Sequence, residues 1–187
     1  AIGQKVTATP LQTANAYASL ANGGTLWTPH VVDRVTKANS PTVIQDIAPK
    51  AIRQIDWGDA QASLIAGFAG VVQPGGTAGS TFAGFPFASM PLAGKTGTAQ
   101  TGEDAQGNEK PDNSLFVAWN LANPEWVASA MLEGAGAGAQ AAAPAIRMIL
   151  EPIASGEINS VEVPQRIEID AESAADESAD IGTTGSD

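Results

Sequence analysis

The 187-residue sequence has no cysteine and a single histidine, His30. Disulfides and cysteine-based metal sites are therefore excluded, and one imidazole cannot assemble a zinc site of the usual ligand sets. Neither a metal nor another cofactor is expected. Basic side chains are also scarce, with 9 Lys and Arg against 20 Asp and Glu. An acidic chain without a basic cluster repels phosphate backbones, so no nucleic-acid partner is expected. There is no apolar run of about 18 residues, the length that would suggest a membrane span. The start, Ala1-Ile2-Gly3-Gln4-Lys5, does not have the form of a signal peptide. Any membrane anchor is thus expected outside this chain.

The acidity is concentrated at one end. Of the net charge of −11, residues 1–156 carry −3 and residues 157–187 carry −8. From about Ser173 onward the chain is Ala, Ser, Asp, Glu, Gly and Thr with almost no large apolar residue. Such a composition cannot bury enough surface to offset the entropy of ordering. The expected organisation is one domain, or part of a larger one, over residues 1–156, followed by an acidic tail at 157–187 that is disordered from about 173.

Thr9-Pro10-Leu11-Gln12 reads as a helix start, with Thr9 as N-cap, proline at the first helical position and Gln12 closing a capping box. Leu11, Ala14, Ala18 and Ala21 then share a helical face, widened by Tyr17 and Leu20, and Asn22-Gly23-Gly24 supplies the stop. A helix is predicted over about 10–21. Residues 30–36 and 42–47 are β-branched runs forming a small hairpin, and a second helix follows Asp59 until Pro74-Gly75-Gly76. Three strands are predicted at 92–100, 114–120 and 126–132, joined by a polar loop at 101–113 and a short turn, as in an antiparallel meander. Gly134-Ala135-Gly136-Ala137-Gly138 reads as a flexible joint before a helix at about 139–154, which tolerates Pro144 only in its first turn. The order of elements indicates an α+β fold.

Ala93-Gly94-Lys95-Thr96-Gly97-Thr98-Ala99 carries the chemistry. On a strand, Thr96 and Thr98 fall on one side, and Gly97 has no side chain to hold a ligand's backbone away. A peptide or acyl ligand can then add along this edge through main-chain hydrogen bonds. The two hydroxyls suit a carboxylate, Lys95 adds positive charge, and the Thr98 N–H suits a developing oxyanion.

Several ordered segments carry a resemblance. Ala1-Ile2-Gly3-Gln4, Val6-Thr7-Ala8-Thr9-Pro10-Leu11-Gln12, Ala16-Tyr17-Ala18 and Leu20-Ala21-Asn22-Gly23-Gly24-Thr25 precede the turn Gly75-Gly76-Thr77-Ala78. The segment from Ala93 to Gln100 and Phe116-Val117-Ala118-Trp119 complete the set. In that order and spacing the chain resembles the second half of the transpeptidase domain of class B penicillin-binding proteins, over about residues 1–154. Its start looks more like the elongation type than the division type.

The resemblance implies the serine β-lactamase/transpeptidase-like fold, an antiparallel sheet with helices on both faces, of which the three strands would be part. It implies an extracytoplasmic D,D-transpeptidase that cross-links peptidoglycan through a serine acyl-enzyme and binds β-lactams. Carried over, Lys95 sits beside the relay serine, Thr96 and Thr98 hold the carboxylate of a stem peptide ending in D-Ala-D-Ala, and Gly97 allows close approach. The Thr98 amide forms half of the oxyanion hole. The family's Ser-x-x-Lys and Ser-x-Asn motifs are not found in these 187 residues. The resemblance implies that both precede Ala1, in an N-terminal portion that the chain needs as a covalent or separate companion, alongside membrane cell-wall synthesis partners. The family often has an aromatic near Leu115 and a glycine near Ala118, which is a small departure. A β-lactam sensor and a catalytically inactive partner-binding domain would share these features, and the residues upstream of Ala1 separate the three.

Other residues are assigned blander roles. His30 has no acidic partner at motif spacing, and Trp27, Trp57, Trp119 and Trp126 are scattered in the manner of packing residues. The glycine stretches lack the lysine of a phosphate loop. Glu103, Asp104, Glu109 and Asp112 read as a solvated loop. Residues 1–187 alone should form no stable adduct with a fluorescent penicillin, whereas the same residues with the upstream portion should label in a gel assay. Labelling of the isolated chain would contradict this reading.

Overall fold

The capping box expected at Thr9 closes in the computed structural model, which describes residues 6–158. Thr9 N–H donates to Gln12 Oε1 at 2.9 Å and Gln12 N–H donates to Thr9 Oγ1 at 3.2 Å, so two donors of the first turn are satisfied reciprocally. They start α1 (Pro10–Ala21), which ends where Gly23 and Gly24 take positive φ. An added Cβ at Gly24 would strike the Ile55 carbonyl, so this turn requires glycine. The chain divides into two units, Ala1–Glu157 and Ile158–Asp187. The expected disordered tail from 173, and the Ala1-Ile2-Gly3-Gln4 segment, lie outside the described residues.

After α1 come β1 (Thr25–Trp27), β2 (Arg34–Thr36), β3 (Val43–Asp46) and β4 (Ala51–Gln54). β2 and β3 form the expected hairpin, although its first strand begins at Arg34 rather than His30. His30 lies before that strand, with Nδ1 2.8 Å from the Val32 carbonyl oxygen, a local contact in an exposed segment. β1 and β4 pair antiparallel in a ribbon that the sequence reading does not contain. α2 (Ala60–Gly70) follows Asp59, which has helical φ and ψ and makes no side-chain cap bond.

The main sheet is β5 (Leu92–Ala99), β6 (Asn113–Asn120) and β7 (Val127–Leu132), antiparallel in the order β5-β6-β7. Its two faces bury different partners, as the period of two requires. On one face Leu92, Phe116 and Ala118 pack against Ile146 and Leu150 of α3 (Ala142–Ala154) and against Phe82 and Phe85 of the 71–90 segment. On the other, Ala93 and Trp119 meet Tyr17 and Leu20 of α1 and Ile65 and Phe68 of α2. Tyr17, Phe68 and Trp119 form an aromatic triangle with centroids 5.3–5.6 Å apart. Helices on both faces of an antiparallel sheet make the fold α+β.

α3 starts at Ala142, three residues later than expected, and Pro144 falls in its first turn. Pro152 also lies inside it and, having no N–H, leaves the Met148 carbonyl without its i+4 donor on an exposed turn of the helix. Arg147 ties this helix to the 71–90 segment. Its Nη1 donates to the Thr81 and Ala83 carbonyls at 2.6 and 2.9 Å, while Nε and Nη2 fork onto Glu151 at 3.0 and 2.7 Å. That hydrogen-bonded guanidinium holds the Glu151 carboxyl below the ordinary glutamate range.

The aromatic triangle implies a stability test. In the complete domain, Trp119→Ala should cost about 3–5 kcal/mol by denaturant unfolding, as expected for emptying a fully buried aromatic site. A loss below about 1 kcal/mol would contradict the packing described here, since that is the range of surface substitutions.

Candidate active site

Sheet chemistry determines what β5 presents. The Leu121 N–H donates to the Pro91 carbonyl at 2.8 Å, which makes Pro91 and Leu121 a hydrogen-bonded pair. The register from Leu92↔Asn120 to Ala99↔Asn113 continues without a bulge. Alternation then turns the peptide groups of Ala93, Lys95, Gly97 and Ala99 towards β6 and those of Leu92, Gly94, Thr96 and Thr98 away from it. The Asn120 N–H bond to the Trp126 carbonyl, at 3.2 Å on the opposite side of β6, agrees with this phase. Among the described residues β5 pairs with β6 alone. Thr96 and Thr98 therefore offer main-chain N–H and C=O groups to an open edge.

The four residues singled out from the sequence stand together on this strand. Lys95 and Thr98 are exposed, while Thr96 and Gly97 are half-buried. Thr96 and Thr98 share the α3 face of the sheet and Lys95 belongs to the opposite face. The Lys95 ammonium nevertheless reaches round to the edge and donates to the Thr96 carbonyl at 2.6 Å. Beside it, between α1 and the sheet, lies a groove of about 160 Å³ lined by Thr13, Tyr17, Lys95, Gly97, Val117, Ser129 and Met131 among others. A Cβ added at Gly97 would point towards that side, 3.2 Å from Leu115 Cβ.

The 134–141 segment supports the strand from the α3 side. Its glycines suggest a free joint, but the chain is tied down. Gly134 N–H donates to Asn113 Oδ1, Gly136 N–H to the Asp112 carbonyl, and Ser114 Oγ donates to the Ala137 carbonyl at 3.0 Å while accepting from Ala142 N–H at 3.0 Å. Gly138 lies directly on the β5–β6 backbone: a Cβ there would collide with the Leu115 carbonyl and stand 2.6 Å from Gly97 O and 2.9 Å from Gly97 N. Glycine is needed at 138 for close approach, not for flexibility.

One neighbouring hydroxyl escapes the sequence reading. Thr77 Oγ1 lies 3.1 Å from Thr96 Oγ1. The Gly75-Gly76-Thr77-Ala78 turn is visible in the sequence, but nothing there says that it meets a strand 19 residues later. The 101–113 loop begins at the end of β5 and folds back through a Glu103↔Glu109 bridge. Asp104 accepts from Asn108 Nδ2 and from the Asn108 and Gln106 N–H groups, and these bonds lower its pKa. It organises a turn. Of the tryptophans, Trp119 is buried, whereas Trp27 and Trp126 are each 39% exposed.

An antiparallel sheet between helical layers, with a Lys-Thr-Gly-Thr strand at its open edge, defines a transpeptidase-like fold. The chain belongs to the penicillin binding protein transpeptidase domain family, whose model matches residues 1–151. Among solved structures it is similar to Pseudomonas aeruginosa PBP2 in complex with WCK 5153, at 29% identity and a TM-score of 0.60, covering 78% of this chain and 30% of that one. It is also similar to Mycobacterium tuberculosis PBP3 complexed with ampicillin, at 26% identity and a TM-score of 0.60, covering 84% and 36%. Penicillin-binding protein 2B of Streptococcus pneumoniae is 25% identical with a TM-score of 0.58, covering 76% and 24%. The chain thus spans between 24% and 36% of the length of these relatives. No curated protein sequence matches significantly.

The Gly138 contact yields a prediction. In the complete domain, Gly138→Ala should displace the Gly97 backbone and slow penicillin acylation by about tenfold or more, the scale on which misplaced hydrogen-bond donors lower acyl-transfer rates. An unchanged acylation rate, measured by stopped-flow fluorescence, would show that this contact does not hold the edge in place.

Proposed function

We propose that this chain is the C-terminal part of the transpeptidase domain of a class B penicillin-binding protein, and that the complete domain cross-links peptidoglycan stem peptides ending in D-Ala-D-Ala. The observation that carries the reading is the open β5 edge, where the outward Thr98 N–H, the Thr96 and Thr98 hydroxyls and the Lys95 ammonium lie within one stretch of four residues. The similarity to an M. tuberculosis relative complexed with ampicillin supports β-lactam binding, which this reading assigns to the same edge.

In this reading the acyl donor adds to β5 as an extra strand, with its C-terminal carboxylate at the Thr96 and Thr98 hydroxyls. Lys95 leaves the Thr96 carbonyl, which frees that acceptor for the ligand and brings a positive charge beside the carboxylate and the relay serine. A serine from the remainder of the domain attacks the carbonyl carbon of the penultimate D-alanine. The resulting oxyanion accepts hydrogen bonds from the Thr98 N–H and from the nucleophile's own N–H. Collapse expels terminal D-alanine and leaves a serine ester, which an amine of a second stem peptide then takes over. With a β-lactam the attacked amide lies in the ring, so the leaving group stays attached and the ester persists.

The groove beside Lys95 gives the serine-bearing segment a place against the sheet, and the half-exposed apolar side chains of α2, such as Leu64, await the same portion. The complete protein acts on the extracytoplasmic face of the membrane with other cell-wall synthesis proteins. A β-lactam sensor or a catalytically inactive binding domain would keep the edge; the former carries a signalling module upstream, and the latter lacks the serine-lysine pair.

The test is Lys95→Ala in the complete domain, which should slow acylation by penicillin on the order of 10²-fold or more, as for loss of a preorganised electrostatic group. An unchanged rate would remove Lys95 from the site.

A further inference from the structure

We propose that Thr77 is a positioning residue for carboxylate recognition, acting through Thr96. This inference rests on the reading of the β5 edge as an acyl-donor site and adds a residue to it from outside the strand. Thr77 is exposed, so its hydroxyl fills no core position, yet it lies 3.1 Å from the Thr96 hydroxyl. Each hydroxyl has one proton to give and lone pairs to accept with, and either can donate in the free protein. A ligand carboxylate removes that ambiguity because it accepts only. Thr96 must then donate to the carboxylate, and Thr77 must donate to Thr96. The result is a directed chain, Thr77 Oγ–H to Thr96 Oγ–H to carboxylate, in which each bond polarises the next.

The turn that carries Thr77 is held in place on both sides. Ala78 is fully buried and donates its N–H to the Val71 carbonyl at 2.9 Å. A Cβ at Gly76 would strike the Gly70 and Val71 carbonyls, so the turn is tight against the end of α2. Downstream, Thr81 Oγ1 donates to the Ala139 carbonyl at 2.9 Å, and Arg147 clamps the Thr81 and Ala83 carbonyls. Thr77 therefore meets Thr96 from a fixed base, which is what a residue that orients another side chain requires.

The experiment is a double-mutant cycle in the complete transpeptidase, using Thr77→Val, Thr96→Val and the pair, with second-order acylation by benzylpenicillin as the readout. Thr77→Val should slow acylation roughly five- to tenfold, the effect of about one net hydrogen bond. Thr77→Ser should restore the rate. In the Thr96→Val background Thr77→Val should have no further effect, and a penicillin whose carboxyl is esterified should be insensitive to it. Thr77→Ala serves as a second hydroxyl-free variant, and melting temperatures confirm folding. An unchanged rate for both hydroxyl-free variants, or equal slowing with and without the Thr96 hydroxyl, would overturn the proposal while leaving the edge reading intact. Failure of the unsubstituted protein to acylate would overturn both.

Discussion

The open edge of the main sheet depends on β5 having, among the described residues, one partner strand. An antiparallel strand sends alternate peptide groups to either side, so a strand bonded to its neighbour through Ala93, Lys95, Gly97 and Ala99 has the peptide groups of Thr96 and Thr98 to spare. An unpaired edge invites unwanted association, and proteins usually cover or charge it. Here the Lys95 ammonium sits on the Thr96 carbonyl, which both charges the edge and occupies its acceptor.

The rest of the fold reads as support for that strand. The sheet is clamped between the α3 core on one face and the Tyr17, Phe68 and Trp119 cluster on the other, so β6 cannot shift without disturbing both. Gly138 packs on the backbone of Gly97, Ser114 bridges the sheet to the start of α3, and Arg147 ties α3 to the Thr81 and Ala83 carbonyls downstream of Thr77. Of the residues outside the main sheet, Gly138 reaches the 95–98 stretch at Gly97 and Thr77 reaches it at Thr96. Preorganisation of this kind lets donors act on a developing charge without reorganising at that moment.

Much of this architecture is legible in the sequence, where local signals are strong. Thr9-Pro10 with Gln12 announces α1 because capping is a short-range hydrogen-bond pattern, and the long β-branched and apolar runs announce β6 and β7. β1 and β4 are absent from that reading because three or four residues are too few to display a period, and their pairing spans almost thirty residues of sequence. The strand limits at His30 and the start of α3 shift because element ends depend on tertiary contacts. Gly138 reads as a hinge, since glycine looks the same whether it bends a chain or admits a neighbouring backbone. The Lys95–Thr98 stretch is legible as a strand, but the direction of its free peptide groups follows from the register with β6. The Thr77 hydroxyl can be assigned only once the 71–90 segment is seen beside Thr96.

The most direct measurement is a crystal structure of the complete transpeptidase acylated by benzylpenicillin. The ester carbonyl oxygen is expected within about 3 Å of the Thr98 nitrogen, as for an oxyanion-hole donor. The drug's carboxylate should contact the Thr96 and Thr98 hydroxyls, with Lys95 released from the Thr96 carbonyl. An acyl group lying away from β5, with Lys95 still bonded to that carbonyl, would contradict the open edge as the site of recognition.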